Sequence, residues 1–207
     1  MDPSTGMSVR RRDRQRDDTR HDLALAAFEL ATRHGLGGVR VPDIAAAAGV
    51  STRTFNNYFA SREAAIVWPA ACHAIGVADQ FRGRPADEPI GESLVESVTA
   101  LYGPGAGQQL PPDWLRRFRA LVAAEPALHG EYLKATAAAQ EALGDAIAER
   151  IGGGQSGAFR AHVIAGMVAG AERAAVMHWM RHNDGTLADA VRTAVRQAVA
   201  GLEGGTR

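Results

Sequence analysis

Residues 39–64 read VRVPDIAAAAGVSTRTFNNYFASREA and contain two short helical patterns separated by a tight turn. Pro42 suits the first turn of a helix that Gly49 ends, and mostly alanine methyl groups lie between them. Ser51 is a good N-cap for the next helix, which runs to Tyr58. Because nothing larger than a methyl group separates the helices at the turn, the segment favours a helix-turn-helix, whose second helix enters the major groove of DNA. An ordinary corner between two helices would show the same turn.

The chain before this segment divides into two parts. From Asp18 onward, apolar residues recur at helical spacing, and Gly35 stops the helix. Residues 1–17 carry almost no large apolar side chains, so we predict a disordered, arginine-rich arm there. Such a basic end favours contact with DNA phosphates, although a solvated tail would look the same. The arm residues that we expect at DNA are Arg10, Arg11 and Arg12.

The chain after Ser61 stays helical. Periodicity predicts a fourth helix to about Asp79, and no alternating apolar run is long enough to indicate a strand. Later helices are expected over about 89–102, from 113, and over about 126–151, 156–182 and 186–202. We therefore predict an all-α fold of about nine helices. It has a helix-turn-helix DNA-binding domain over 18–66 and a ligand-binding and dimerisation domain over 67–207.

Composition narrows the class of protein. The 207 residues carry 23 basic and 23 acidic side chains, but residues 1–62 hold 10 Arg against 7 acids, a local positive excess. Cys72 is the lone cysteine, which excludes an internal disulfide and disfavours a cysteine zinc site. No apolar run approaches the ~20 residues of a membrane span, and the N-terminus lacks the apolar core of a secretory signal. A cytoplasmic protein with its positive end at nucleic acid fits these counts.

Spaced elements of this segment resemble the DNA-binding domain of the tetracycline-repressor (TetR) family. The matching elements are the pair Ile44–Ala45, the turn Gly49–Ser51, the pairs Thr54–Phe55 and Tyr58–Phe59, and the helix start Ser61–Glu63. The resemblance implies a transcriptional regulator that binds double-stranded DNA. Most commonly this is a ligand-released repressor that binds a palindromic operator as a homodimer. The alternative is a helical small-molecule-binding or scaffold protein that does not bind DNA.

The resemblance places the DNA-contacting residues on or beside the second helix of the turn. This chain has Arg53 where the family usually has Gly, and Asn56 where it usually has Tyr. Arginine suits a guanine edge and asparagine an adenine edge. Arg62 replaces the usual Lys beside DNA phosphate, whereas Asn57 has a local turn bond as its alternative role. The DNA-binding residues expected here are Thr52, Arg53, Thr54, Asn56, Asn57, Tyr58 and Arg62.

The last two helices differ from the others. Residues 159–180 are apolar almost all round, so that helix needs cover on several sides, while residues 186–202 carry one apolar stripe. A two-fold dimer through a four-helix interface provides the cover, and the alternative is a central helix in a monomeric bundle. The expected interface residues are Ile164, Val168, Ala171, Ala175, Trp179, Val191, Val195 and Val199.

An effector site needs a concave, mostly apolar surface with a few polar anchors. Residues 113–150, with the segments 113–121 and 125–128, weakly resemble the effector domain of mycofactocin-type regulators, which implies an apolar or acyl-CoA-like effector. For any one of the candidates, a plain core position is the alternative role. The expected ligand-binding residues are Trp68, Cys72, Trp114, Phe118, Leu121, Tyr132, Met167 and Glu172.

Enzyme chemistry finds little support in the sequence. His178 and His182 are four residues apart and share a helix face, but no third ligand and no Glu for zinc hydrolysis lie nearby. No Gly-Lys pair of the Walker type occurs, and the glycine-rich segments follow no strand. We therefore predict no catalytic residues, no metal and no cofactor.

Overall fold

The computed structural model describes the backbone of residues 3–103, 113–200 and 202, with side chains from Arg16 onward. Within these ranges the chain forms α-helices and one 3-10 helix and no strand, which confirms the all-α prediction. No helix in the described part of the chain is long and apolar enough to cross a membrane. The helices are α1 (Pro3–His34), the 3-10 helix (Leu36–Gly38), α2 (Val41–Ala47), α3 (Thr52–Tyr58), α4 (Arg62–Arg82), α5 (Ile90–Ala100), α6 (Trp114–Ala124), α7 (Pro126–Ile151), α8 (Gly154–His182) and α9 (Leu187–Val199).

The first helix is longer than the sequence pattern indicates. α1 begins at Pro3, within the segment 1–17 that we predicted to be a disordered arm, so that prediction is wrong for the backbone. The absence of large apolar side chains removes a packing surface but does not oppose a helix. Between Gly6 and Gly35 there is no Gly or Pro, and Arg and Gln are good helix formers.

The chain forms two compact units. The first contains Met1–Ala70 and Pro112–Leu133, and the second contains Ala71–Pro111 and Lys134–Arg207. The predicted boundary near residue 66 therefore places too little of the chain with the helix-turn-helix, because α6 and the start of α7 pack with it.

Side chains of α6 explain why it belongs to the first unit. Arg117 donates hydrogen bonds to both carboxylate oxygens of Glu29 on α1, at 3.1 and 3.0 Å. Its guanidinium also lies 5.2 Å from the centre of the Phe28 ring. At the C-terminal end of α6, the Glu125 carboxylate accepts a hydrogen bond from the Leu36 backbone amide at 3.4 Å. Bidentate arginine–carboxylate pairs of this kind fix orientation as well as adding attraction.

The second unit is built around α9, which packs on both α5 and α8. The stripe of α9 is buried here, and Arg192 on the same helix pairs with Glu96 of α5. The buried face of α8 includes Ile164, Val168 and Ala175. These helices therefore bury their regular apolar stripes within one chain.

This packing corrects the predicted dimer interface. Six of its eight residues lie inside the second unit and are at most 5% exposed. The other two, Ala171 and Trp179, are half-buried, and the Trp179 indole donates to the Gly185 carbonyl at 3.2 Å. The sequence of α8 has two apolar faces, and either could lie at an interface. The predicted residues belong to the face that is buried within the chain itself. The six are Ile164, Val168, Ala175, Val191, Val195 and Val199.

Candidate nucleic-acid interface

The turn between α2 and α3 has the geometry that its sequence predicts. Gly49 has a φ of +67°, in the left-handed region that L side chains rarely adopt. The Val50 amide donates to the Ala45 carbonyl at 2.9 Å, which closes the end of α2. Ser51 then caps α3, since its hydroxyl accepts a hydrogen bond from the Thr54 amide at 3.1 Å. The turn thus fixes the direction in which α3 leaves α2.

The second helix of the turn has one buried and one exposed face. Phe55 is fully buried, and its ring packs against Phe59 with centroids 5.7 Å apart. The opposite face is exposed and carries hydrogen-bonding side chains suited to base edges. The exposed residues are Thr52, Arg53, Asn56 and Asn57.

Three other predicted DNA-binding residues have bonds within the unit. The Thr54 hydroxyl lies 2.9 Å from the Ser51 hydroxyl and is part of the cap. Tyr58 is half-buried, and its backbone carbonyl accepts a hydrogen bond from Arg20 at 3.3 Å. The third is Arg62, whose guanidinium is also bonded within the unit. Arg10, Arg11 and Arg12 lie outside the described side chains.

Arg62 ties the start of α4 to the chain before α2. Its guanidinium donates to the Val39 carbonyl and, at 2.9 Å, to the Glu63 carboxylate. Burial raises the pKa of Glu63, but the hydrogen bond of Arg62, a backbone hydrogen bond, the charge of Arg62 and a hydrogen bond of Ser61 together outweigh burial and bring that pKa below its ordinary value. These bonds give Arg62 a role inside the unit, and its contact with DNA phosphate stays a prediction.

Arg20 of α1 is not among the predicted DNA-binding residues, but the structure gives it a specific position beside α3. Its guanidinium lies 5.5 Å from the ring centre of Phe59 and 5.8 Å from that of Trp68. The same group donates to the Tyr58 carbonyl, so it holds the C-terminal end of α3 against α1 and α4. Sequence spacing could not reveal this contact because Arg20 and Tyr58 are 38 residues apart.

The residues predicted to bind an effector are divided between the two units. In the first unit, Trp68 packs edge-on against Phe59, with centroids 6.3 Å apart. Phe118 is buried between Trp114 and Tyr132, at ring distances of 5.9 and 5.5 Å. The half-buried Leu121 lies one turn further along α6.

In the second unit, Cys72 is exposed, and Met167 is 43% exposed on the surface of α8. Glu172 accepts a hydrogen bond from the Tyr102 hydroxyl. Several of these side chains therefore have packing or bonding roles within their own unit, and their binding of an effector stays a prediction.

Beside Tyr102 lies a histidine that the sequence prediction did not include among the site residues. His73 packs edge-on against the Tyr102 ring, with centroids 4.7 Å apart. Its Nε2 atom is buried and has no hydrogen-bond partner among the residues that the structure describes. Burial lowers the pKa of His73 from 6.5 to about 4, so the ring is neutral at pH 7.

This histidine predicts acid sensitivity. The unfolded chain binds a proton at His73 near pH 6.5, whereas the folded unit does so only near pH 4, so acid favours unfolding in between. We expect the free energy of unfolding to fall by about 2 kcal/mol between pH 7 and pH 5 on this account. His73→Phe keeps a ring against Tyr102 and should remove that part of the fall. Urea unfolding at both pH values measures it, and equal falls in the variant and the wild type would contradict this origin.

One face of α8 exposes large apolar side chains to solvent. Phe159, Val163, Met167 and Met177 are 74%, 46%, 43% and 39% exposed. Spacings of three and four residues continue the face through Gly170 and Ala174. Since the regular stripe of α8 points into its own unit, this second face is the apolar surface that the helix leaves uncovered.

Two families match the sequence. The family described as "Bacterial regulatory proteins, tetR family" matches residues 24–65, which include the helix-turn-helix. The family described as "MftR C-terminal domain" matches residues 88–203, more than half of the chain.

Relatives and solved structures agree with these matches. A Mycobacterium tuberculosis protein assigned as the mycofactocin biosynthesis transcriptional regulator MftR is 26% identical over 193 residues, 92% of this chain and 94% of the relative. A structure assigned to a TetR-family transcriptional regulator from Mesorhizobium loti has a TM-score of 0.56 at 14% identity, over 89% of this chain and 96% of that one. The fatty acid degradation regulator FadR from Bacillus halodurans has a TM-score of 0.53 at 20% identity, over 88% and 96%. The structural likenesses concern the fold.

Proposed function

Because this chain belongs to the TetR family of bacterial transcriptional regulators and has a C-terminal domain of the MftR type, we propose that it is a ligand-released repressor of transcription. It binds a palindromic operator as a homodimer and acts in the cytoplasm. TetR-type regulators are not enzymes, in agreement with the sequence prediction. The observation that carries the proposal is the exposed polar face of α3, presented by a buried aromatic core.

The chemistry of that face favours direct reading of bases. Arg53 offers two donors that match the acceptors of a guanine edge, and Asn56 offers one donor and one acceptor for adenine. Both side chains are exposed on a helix whose start is fixed by the Ser51 cap. The helix therefore presents these groups from a defined backbone, as a major-groove reader requires.

The exposed apolar face of α8 supports the homodimer. From Phe159 to Met177 it runs along about 27 Å of helix. Exposed apolar surfaces of this kind mark interaction sites. A Cβ on Gly170 would meet nothing within 4 Å, so the middle of the face leaves room for a second helix to approach. A two-fold axis through this face would pair it with the same face of a second copy.

Release of DNA requires an effector that binds one conformation better than the other. We propose an apolar or acyl-CoA-like effector, on the basis of the MftR-type domain and the weak resemblance of residues 113–150. Binding would change the spacing of the two recognition helices, which must match major-groove faces about 34–36 Å apart. Candidate effectors are tested by titration into a preformed complex with DNA.

A mobility-shift assay with the DNA that flanks the protein's own gene tests the proposed function. We expect the full chain to retard this DNA in the presence of excess unrelated duplex. Asn56→Asp is a matched negative control, because it keeps side-chain size on an exposed position but adds a charge that phosphates repel. Loss of the shift in this variant supports recognition through α3, whereas an unchanged shift would contradict it.

A further inference from the structure

A cleft of about 280 Å³ lies between α1 and the C-terminal end of α3. Five residues line the cleft, and most of them have polar or charged side chains. Two are exposed arginines one helical turn apart on α1, and one is an acid, so the lining has an excess of one positive charge. The lining residues are Arg16, Asp17, Arg20, Asn57 and Tyr58.

The cleft is continuous with the exposed face of α3. Asn57 belongs to both, since it lines the cleft and lies one residue from Asn56 on the exposed side of the helix. A helix that enters the major groove is flanked by sugar-phosphate backbones, and contacts to phosphates set its register and orientation. The anion within reach of this cleft, when α3 is at DNA, is therefore a backbone phosphate.

We propose that the cleft is a phosphate site for the DNA backbone beside the groove that α3 enters. The proposal rests on the proposed function and adds to it the residues that position the helix. Arg16 supplies the positive charge, and Asn57 supplies a neutral hydrogen-bond donor at the side of α3. Asp17 opposes the phosphate and limits the strength of this sequence-independent contact.

Arg20 has a different role in the site, because it positions the C-terminal end of α3. Its bond to the Tyr58 carbonyl and its place over Phe59 and Trp68 hold its guanidinium in one orientation. The same contacts fix the end of α3. A phosphate in the cleft would therefore contact a charge that already sets the direction of the recognition helix.

The salt dependence of binding to a duplex of arbitrary sequence, about 30 base pairs long, tests the charge of the cleft. Loss of Arg16 in Arg16→Ala should make the slope of log K against log salt shallower by about 0.9 per subunit, between about 50 and 200 mM salt. Arg33→Ala is the matched control, because Arg33 is an exposed arginine of α1 outside the cleft. Equal slopes in Arg16→Ala, Arg33→Ala and the wild type would overturn the proposal.

The acidic residue gives a test in the opposite direction. Asp17→Asn should increase affinity for the same duplex several-fold, whereas Asp22→Asn, which removes an exposed acid of α1 that does not line the cleft, should change it less. Equal effects of the two substitutions would show that only overall charge matters and would contradict a site.

Conservative replacement separates charge from position at Arg20. Arg20→Lys keeps the charge but loses the planar contacts, so it should keep the salt slope while lowering the preference for the DNA that flanks the gene over the arbitrary duplex. Arg20→Ala removes the charge as well, so it should make the salt slope shallower and also lower this preference. Full preference in Arg20→Lys would contradict the positioning role. If the wild type bound neither duplex, the proposed function itself would fail. If the wild type bound DNA but the variants had unchanged salt slopes, only the phosphate site would be contradicted.

Discussion

Glutamate in place of Met167 should convert the proposed homodimer to a monomer and remove most of its affinity for an operator. Met167 lies in the middle of the exposed apolar face of α8, between Val163 and Gly170. In a two-fold interface each copy would bury one uncompensated carboxylate close to the other. An unpaired buried charge costs about 3–5 kcal/mol, which weakens the dimer at least about 100-fold. Sedimentation velocity measures the oligomeric state directly.

The control for this variant is Ile75→Glu. Ile75 is also a large apolar side chain of the second unit, 41% exposed but on α4, so the substitution makes the same chemical change away from the α8 face. We expect Ile75→Glu to remain dimeric and to bind DNA as the wild type does. A dimeric Met167→Glu protein with normal affinity for DNA would show that this face is not the interface.

Alanine in place of Arg53 should remove base preference at one position of each half-site while leaving the fold intact. Arg53 is exposed, and no hydrogen bond of the turn depends on it. The lost bidentate contact corresponds to about 1–3 kcal/mol of discrimination, or about 5- to 150-fold per half-site. Binding to a panel of operator variants measures the preference, and thermal unfolding shows whether the unit is folded.

A conservative replacement makes this test specific. Arg53→Lys keeps the charge but not the flat pair of donors, so it should retain the salt dependence of binding and still lose much of the base preference. If Arg53→Ala discriminated among the operator variants as the wild type does, Arg53 would have no part in reading bases.

Local signals in the sequence are sufficient to predict the helix-turn-helix. Gly49 and Ser51 act on their immediate neighbours, since one needs the left-handed region and the other accepts a bond three residues away. The start of α7 at Pro126 is likewise a local feature. Such signals depend on the backbone within one turn, so a single sequence contains all the information that they require.

Contacts between distant parts of the chain could not be predicted in this way. The pair Arg117–Glu29 joins residues 88 apart and places α6 with the first unit, yet each residue alone resembles a solvated charge. The bond of Arg62 to the Val39 carbonyl could not be predicted either, because the two residues are 23 apart in the sequence.

The second apolar face of α8 shows a further limit. Periodicity reveals that the helix has two such faces, but only the packing of α9 on α8 and the burial of the side chains show which one the chain covers itself. The choice made from sequence was wrong because both faces have similar spacing and composition.

Selection from a pool of random duplexes by the full chain tests most directly whether this protein is a dimeric, sequence-specific DNA-binding regulator. The proposed function predicts enrichment of an inverted repeat whose half-site centres lie about one helical turn, 10–10.5 base pairs, or a multiple of it apart. Selection with Arg53→Ala should lose information at the same position of both halves. Enrichment of no motif, or of a single site without two-fold symmetry, would contradict the account.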